Sequence, residues 1–250
     1  MTRENVLFGA VGLLLGYLIA FHVVVHVNQG EAGSRLAASS SAAGQGADEV
    51  LPPDHPALPT NEVKDRQRLL SAAEAAARAA RESPKDFDAQ AKAADAYIEA
   101  GSFEDAIDFL TRANELRPDD YGTLVKLGNS YTAAERYETA EKWYKAALAK
   151  KPSDPDVRSE LALTYFLREP RQTENAIAEL RRGLELNPGH LATLHNLALM
   201  LMETGKFDEA ASALDRLEKA RPDYPQLPRL REQLSKTRSE NSLGPRSSSD

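Results

Sequence analysis

Residues 121–154 read YGTLVKLGNSYTAAERYETAEKWYKAALAKKPSD, and the proline near the end of this stretch is one mark of a ruler that runs through most of the chain. Prolines stand at 84, 118, 152, 188 and 222, at spacings of 34, 34, 36 and 34. Four of them close the phrases NELRPDD, ALAKKPSD, GLELNPGH and EKARPDY. Other marks fall into register with them. Tyr97, Tyr131, Tyr165 and Leu201 share one column, and Ala106, Ala140, Ala176 and Ala210 another. Leu127-Gly128, Leu161-Ala162 and Leu197-Ala198 fill a third, while Gly101-Ser102-Phe103, Glu135-Arg136-Tyr137 and Gly205-Lys206-Phe207 mark the turn between two helices in the first, second and fourth units. Self-similarity at such a period predicts stacked helical hairpins, here Phe87–Asp120, Tyr121–Asp154, Pro155–His190 and Leu191–Tyr224.

Packing accounts for the pattern. Small residues let the second helix of each unit approach the first helix of its own and of the next unit. Large column residues fill the space between, and proline ends the second helix because it has no N–H and clashes with the preceding turn. The flanks read as caps. Residues 62–83 are Ala-rich, with Ala72, Ala76 and Ala79 at second-helix positions. Residues 225–238 set Leu227, Leu230 and Leu234 at i, i+3 and i+7 between charges, the polar-backed helix an array needs at its end. The third unit carries two extra residues in FLREPRQTENA, which predicts a longer turn around Pro170.

This 34-residue unit resembles the tetratricopeptide repeat (TPR), and the implied fold class is an all-α TPR solenoid of four helix-turn-helix repeats with N- and C-terminal capping helices. The resemblance also implies a concave groove lined by the second, fifth, ninth and twelfth residues of each first helix. In repeat 1 these are Asp88, Ala91, Asp95 and Ile98; in repeat 2, Gly122, Val125, Asn129 and Thr132. In repeat 3 they are Asp156, Ser159, Leu163 and Phe166; in repeat 4, Ala192, His195, Leu199 and Met202. The expected client-binding groove is therefore Val125, Asn129, Thr132, Leu163, Phe166, His195, Leu199 and Met202, with Asp88 and Asp95 as its acidic end. The first helix of repeat 4, LATLHNLALMLMETG, is apolar nearly all round. Two readings of it stay open: an exposed apolar groove, or core covered by the C-terminal cap. Relatives that clamp the C-terminal carboxylate of heat-shock chaperones use Lys and Asn at the fifth and ninth positions. Here Ala91/Asp95 and Val125/Asn129 leave a single match.

The 250 residues carry a formal charge of −7, with no cysteine and five scattered histidines. Zero cysteine excludes disulfide frameworks, Cys-ligated zinc, iron–sulfur clusters and thiol catalysis. The acidic balance argues against general nucleic-acid binding, which needs a basic face. No nucleophile elbow, phosphate loop or zinc-ligand spacing is present. A non-enzyme without cofactor or metal is the expectation.

Val6–Val27, VLFGAVGLLLGYLIAFHVVVHV, contains no charged residue. About 20 helical residues cross a hydrocarbon core, so this run reads as an uncleaved single-pass transmembrane anchor. Residues 1–5 would then be cytoplasmic, and Arg3 before the run favours N-in orientation with the repeats outside the cytoplasm. Gly12, Gly16 and Ala20 form a small-residue stripe that would suit weak homodimerisation, although glycine is common in such helices anyway. Residues 28–61 are a flexible Ser/Ala/Gly/Pro linker, and 239–250 a low-complexity tail.

With that anchor, the stretches DVRSELALTYFL, AIAELRRGLELNPGHLATLHNLALMLMETGKFDEA and PDYPQLPRLREQL resemble the periplasmic repeat domain of bacterial cytochrome c maturation proteins. That resemblance implies a location at the bacterial inner membrane and a protein client, apocytochrome c or components of the haem lyase. Fuller members of that family have additional membrane helices. A general cell-envelope scaffold or translocon-associated periplasmic chaperone is the alternative.

Overall fold

The computed structural model describes residues 60–242, all within one compact unit. The expected anchor, its Gly12/Gly16/Ala20 stripe, most of the linker and the end of the tail lie outside the described residues. Among the described residues, no helix is long and apolar enough to cross a membrane.

Ten α-helices and no strands make up the described chain: α1 (Thr60–Glu82), α2 (Phe87–Glu99), α3 (Phe103–Leu116), α4 (Tyr121–Ala133), α5 (Tyr137–Lys150), α6 (Pro155–Leu167), α7 (Thr173–Leu186), α8 (Leu191–Glu203), α9 (Phe207–Ala220) and α10 (Leu227–Ser242). Each helix packs on its neighbours in sequence. Beyond that, α4 touches α6, α6 touches α8, and α8 touches α10. The first helices of successive repeats therefore form one layer and the second helices another.

Each first helix starts at the residue just after the proline phrase. Asp86, Asp120 and Asp154 are its N-caps in repeats 1 to 3, their carboxylates accepting from backbone N–H groups of the first turn. Repeat 4 replaces the aspartate with His190, whose Nδ1 meets the Thr193 hydroxyl at 2.7 Å instead.

The turns between paired helices share one hydrogen bond. The N–H groups of Ser102, Arg136, Gln172 and Lys206 donate to the carbonyls of Tyr97, Tyr131, Tyr165 and Leu201, at 2.8–2.9 Å. Repeat 3 keeps this bond although two residues are inserted, so the extra length is looped out and the register survives. In the other three repeats the residue before the donor is left-handed: Gly101 and Gly205 at φ 72°, and Glu135 at φ 57°. Glycine adopts that region at no steric cost, whereas glutamate does not. Glu135→Gly should therefore stabilise the domain by about 0.5–1 kcal/mol, read as a raised denaturant midpoint with an unchanged slope.

The core follows the columns. Ala106, Ala140, Ala176 and Ala210 are fully buried, as are Leu110, Tyr144, Leu180 and Leu214 four residues later. Gly128 is needed beneath Tyr144: a Cβ there would lie 2.5 Å from the Tyr144 ring. Repeat 3 adds a charged link between its two helices. Arg158 donates to Glu179 at 2.7 Å and to the Pro152 carbonyl at 2.8 Å.

The N-terminal cap differs from expectation by one residue. Ala73, Ala77 and Ala80 are buried, not Ala72, Ala76 and Ala79. The second helices of full repeats pack against a helix of their own repeat and one of the next. With no partner in its own repeat, α1 rolls its small-residue face toward α2, where the Gln90 amide donates to the Ala80 carbonyl at 2.7 Å. At the other end Leu227, Leu230 and Leu234 are buried, and α10 runs on to Ser242, into the stretch read as tail.

Candidate functional site

The layer of first helices carries the expected groove positions. Side chains bridge it from repeat to repeat. Lys126 Nζ of α4 lies 2.5 Å from Asp95 Oδ1 of α2, and Asn196 Nδ2 of α8 donates to Ser159 Oγ of α6 at 3.0 Å. His190 Nε2 lies 3.0 Å from Asp156 Oδ1, and this hydrogen bond holds the Asp156 carboxyl below its ordinary value.

The expected lining is only partly open. Val125, Thr132, Leu163, Phe166 and Met202 are each at most 8% exposed, so they support the groove and offer a client little surface. Two of them meet groups from elsewhere: Thr132 Oγ1 sits 3.2 Å from the Tyr144 hydroxyl, and Arg171 of the repeat 3 insertion lies over the Phe166 ring. Arg171 also pairs with Glu203 of α8, pinning the looped-out turn against the next repeat. Met202 sits on α8, against which α10 packs, in line with core covered by the cap.

Three expected positions remain half-buried: Asn129, His195 and Leu199. The second-helix layer holds the first of these in place, for the Tyr144 hydroxyl donates to Asn129 Oδ1 at 2.8 Å. His195 Nδ1 meets the Tyr224 hydroxyl at 2.9 Å, with the two rings edge to face. At the acidic end, Asp88 is exposed and 3.8 Å from Arg117, while Asp95 is held by Lys126.

Burial pushes the His195 imidazole down to about 4. In the unfolded chain it titrates near 6.5. As pH falls from 6.5 toward 4, the unfolded state takes up a proton that the native state refuses, so stability is lost across that window and levels off below it. His195→Gln should remove this contribution, on the order of 2 kcal/mol, and denaturant midpoints at pH 7 and 4.5 would then lie closer together than in the wild type.

The sixth position of each first helix was not among the columns read from the sequence, and it matters. It holds Lys92, Lys126, Glu160 and Asn196. Lys126 and Asn196 reach back to the preceding first helix, so this column faces the seam between repeats. Glu160 occupies it between α4 and α6. Its Oε2 is shut off from solvent with no hydrogen-bond partner, while the side chain as a whole keeps some exposure. Burial, reinforced by the charge of Asp156, pushes its carboxyl up to about 7.

Ten helices in paired layers with a lined inner face define a helical-repeat solenoid. A tetratricopeptide repeat model matches residues 65–127 and 167–234, and a TPR repeat model matches 128–167. The chain belongs to the tetratricopeptide repeat family. Solved structures with the same fold include MamA, at TM-score 0.57 and 18% identity over 65% of this chain and 94% of that one. MamA 41-end from Desulfovibrio magneticus RS-1 gives 0.56 and 21% over 65% and 94%. A thermophilic TPR protein from Thermus thermophilus gives 0.52 and 21% over 71% and 94%. No curated protein matches the sequence.

Proposed function

We propose that this protein is a membrane-anchored interaction module that holds a segment of a client polypeptide against the layer formed by α2, α4, α6 and α8. The observation that carries this reading is the partial exposure of three lining positions on that layer, Asn129 of α4 and His195 and Leu199 of α8. Two polar groups fixed by Tyr144 and Tyr224 set the position of a client chain, and Leu199 supplies apolar area. Asp88 and Asp95 extend the same face as carboxylates already paired with Arg117 and Lys126. The client is the C-terminal helix of an apocytochrome c. That choice rests on the sequence resemblance to cytochrome c maturation proteins, and the charge-free Val6–Val27 run supports an inner-membrane anchor with the repeats on the periplasmic side.

The test titrates full-length protein with C-terminal peptides of candidate apocytochromes. Binding in the micromolar range is expected, weakened roughly tenfold by Leu199→Asp and less by Asn129→Ala, each checked for retained helicity. If Leu199→Asp unfolds the domain, Asn129→Ala and His195→Ala carry the test. Binding unaffected by every folded variant would remove the groove. Binding of unrelated envelope proteins but no apocytochrome would favour the scaffold or chaperone reading. Release of the protein by carbonate washing of membranes would remove the anchor.

A further inference from the structure

Glu160 is an anomaly in its setting. Buried polar atoms normally have partners, and an ionisable oxygen without one costs free energy that the fold must recover elsewhere. Among the described residues, no donor reaches Glu160 Oε2. The neighbouring repeats show how the same position is normally satisfied: Lys126 takes the carboxylate of Asp95, and Asn196 takes the Ser159 hydroxyl. Glu160 holds the equivalent position on α6, and its Oε2 has no such partner.

The groups around it, among the described residues, offer it no cation. On α6 itself the charge that acts on it is that of Asp156, one turn earlier, which is bonded by His190 from the turn before α8. Arg158, also on α6, is turned to Glu179 of α7. From α4, Lys126 is turned to Asp95, and from α5 the Tyr144 hydroxyl is committed to Asn129. Arg168, at the end of α6, pairs with Glu138 and Glu141 of α5.

We propose that Glu160 is the recognition point for a lysine or arginine of the client, its carboxylate taking the client's cation in the seam between α4 and α6, with Asp156 adding a second negative charge one turn away. This rests on the groove reading above and names the chemistry of its partner. A client cation meets the carboxylate from the partly exposed side of the residue, since Oε2 itself is closed off, and charge-assisted bonds of this kind are among the stronger ones. Because binding draws the carboxyl into its ionised form, it releases a proton, and affinity rises with pH through neutrality.

The experiment selects binders from a random dodecapeptide display library on the full-length chain at pH 8, in parallel on the wild type and on Glu160→Gln. Wild type should enrich peptides with a Lys or Arg at one recurring position, and the glutamine variant should not. The best synthetic peptide is then titrated by calorimetry in phosphate and in Tris. Expected results are a loss of roughly tenfold in affinity with Glu160→Gln, tighter binding at pH 8 than at pH 6, and up to about half a proton released per peptide at pH 7. A purely structural Glu160 would not move the proton count. Selected peptides without a recurring basic residue, or with equal affinity for both proteins, overturn the assignment to Glu160 and leave the groove standing if His195→Ala weakens them. Failure to recover any peptide sensitive to Asn129→Ala or His195→Ala overturns both.

Discussion

Gly128→Ala should lower the stability of the domain by about 2 kcal/mol, against the usual direction for a glycine inside a helix. Helix propensity alone favours alanine by roughly 1 kcal/mol. The opposing effect is steric. A Cβ at residue 128 would stand 2.5, 2.6 and 2.9 Å from three carbons of the Tyr144 ring, closer than such atoms approach. That ring is fully buried, and its hydroxyl is tied to Asn129 and to Thr132, so it cannot swing aside cheaply. Overpacking of this severity costs about 3 kcal/mol, which leaves the net loss stated and a melting temperature lower by roughly 4–8 °C. A double-mutant cycle with Tyr144→Leu checks the cause. The leucine costs stability in the wild-type background and much less in the Gly128→Ala background, because the clash is then relieved. A Gly128→Ala variant as stable as the wild type would mean that the helix crossing is looser than described.

Glu160→Gln should stabilise the domain at pH 8 by about 2 kcal/mol and leave it nearly unchanged at pH 4.5. The carboxyl is held up to about 7 in the native state, chiefly by burial, against an ordinary value of 4.5. Between those two values the native state keeps a proton that the unfolded chain has released. The associated stability is complete below 4.5, is lost as pH rises to 7, and stays lost above. Glutamine has no proton to lose, so the difference between the two proteins should open across that window. His195 acts in the opposite sense over an overlapping range, and comparing the single variant with the wild type at each pH cancels it. Equal stability of both proteins at pH 8 would show that Glu160 ionises without cost.

How the sequence foretold this structure depended on what each residue type can reveal. The prolines, the Ala106/Ala140/Ala176/Ala210 column and the turn residues report on backbone and on close approach, and these constraints are local enough to be read from spacing. The inserted Glu169-Pro170 region was equally readable, because two extra residues against a fixed ruler must loop out. The groove was harder. Thr132 and Phe166 stand at lining positions on their own helices, yet Tyr144 and Arg171, from other elements, sit against them and take up their surface. The α1 register slipped because a helix with one partner rotates in a way that a helix with two does not. Glu160 escaped notice for a further reason. A lone acidic residue on a helix reads as solvated, and only the absence of a donor at its buried oxygen marks it out.

The restriction of contacts to neighbours along the chain has a mechanical side. Helix pairs that touch chiefly the pair before and the pair after are joined in series, so a tension applied at the two ends is carried in full by every junction. The weakest junction yields first, and the others keep their structure. Each repeat of about 34 residues that gives way would release on the order of 110 Å of contour, seen as one step of a sawtooth in a single-molecule pulling trace. Under load such a chain would thus lengthen in stages instead of failing all at once.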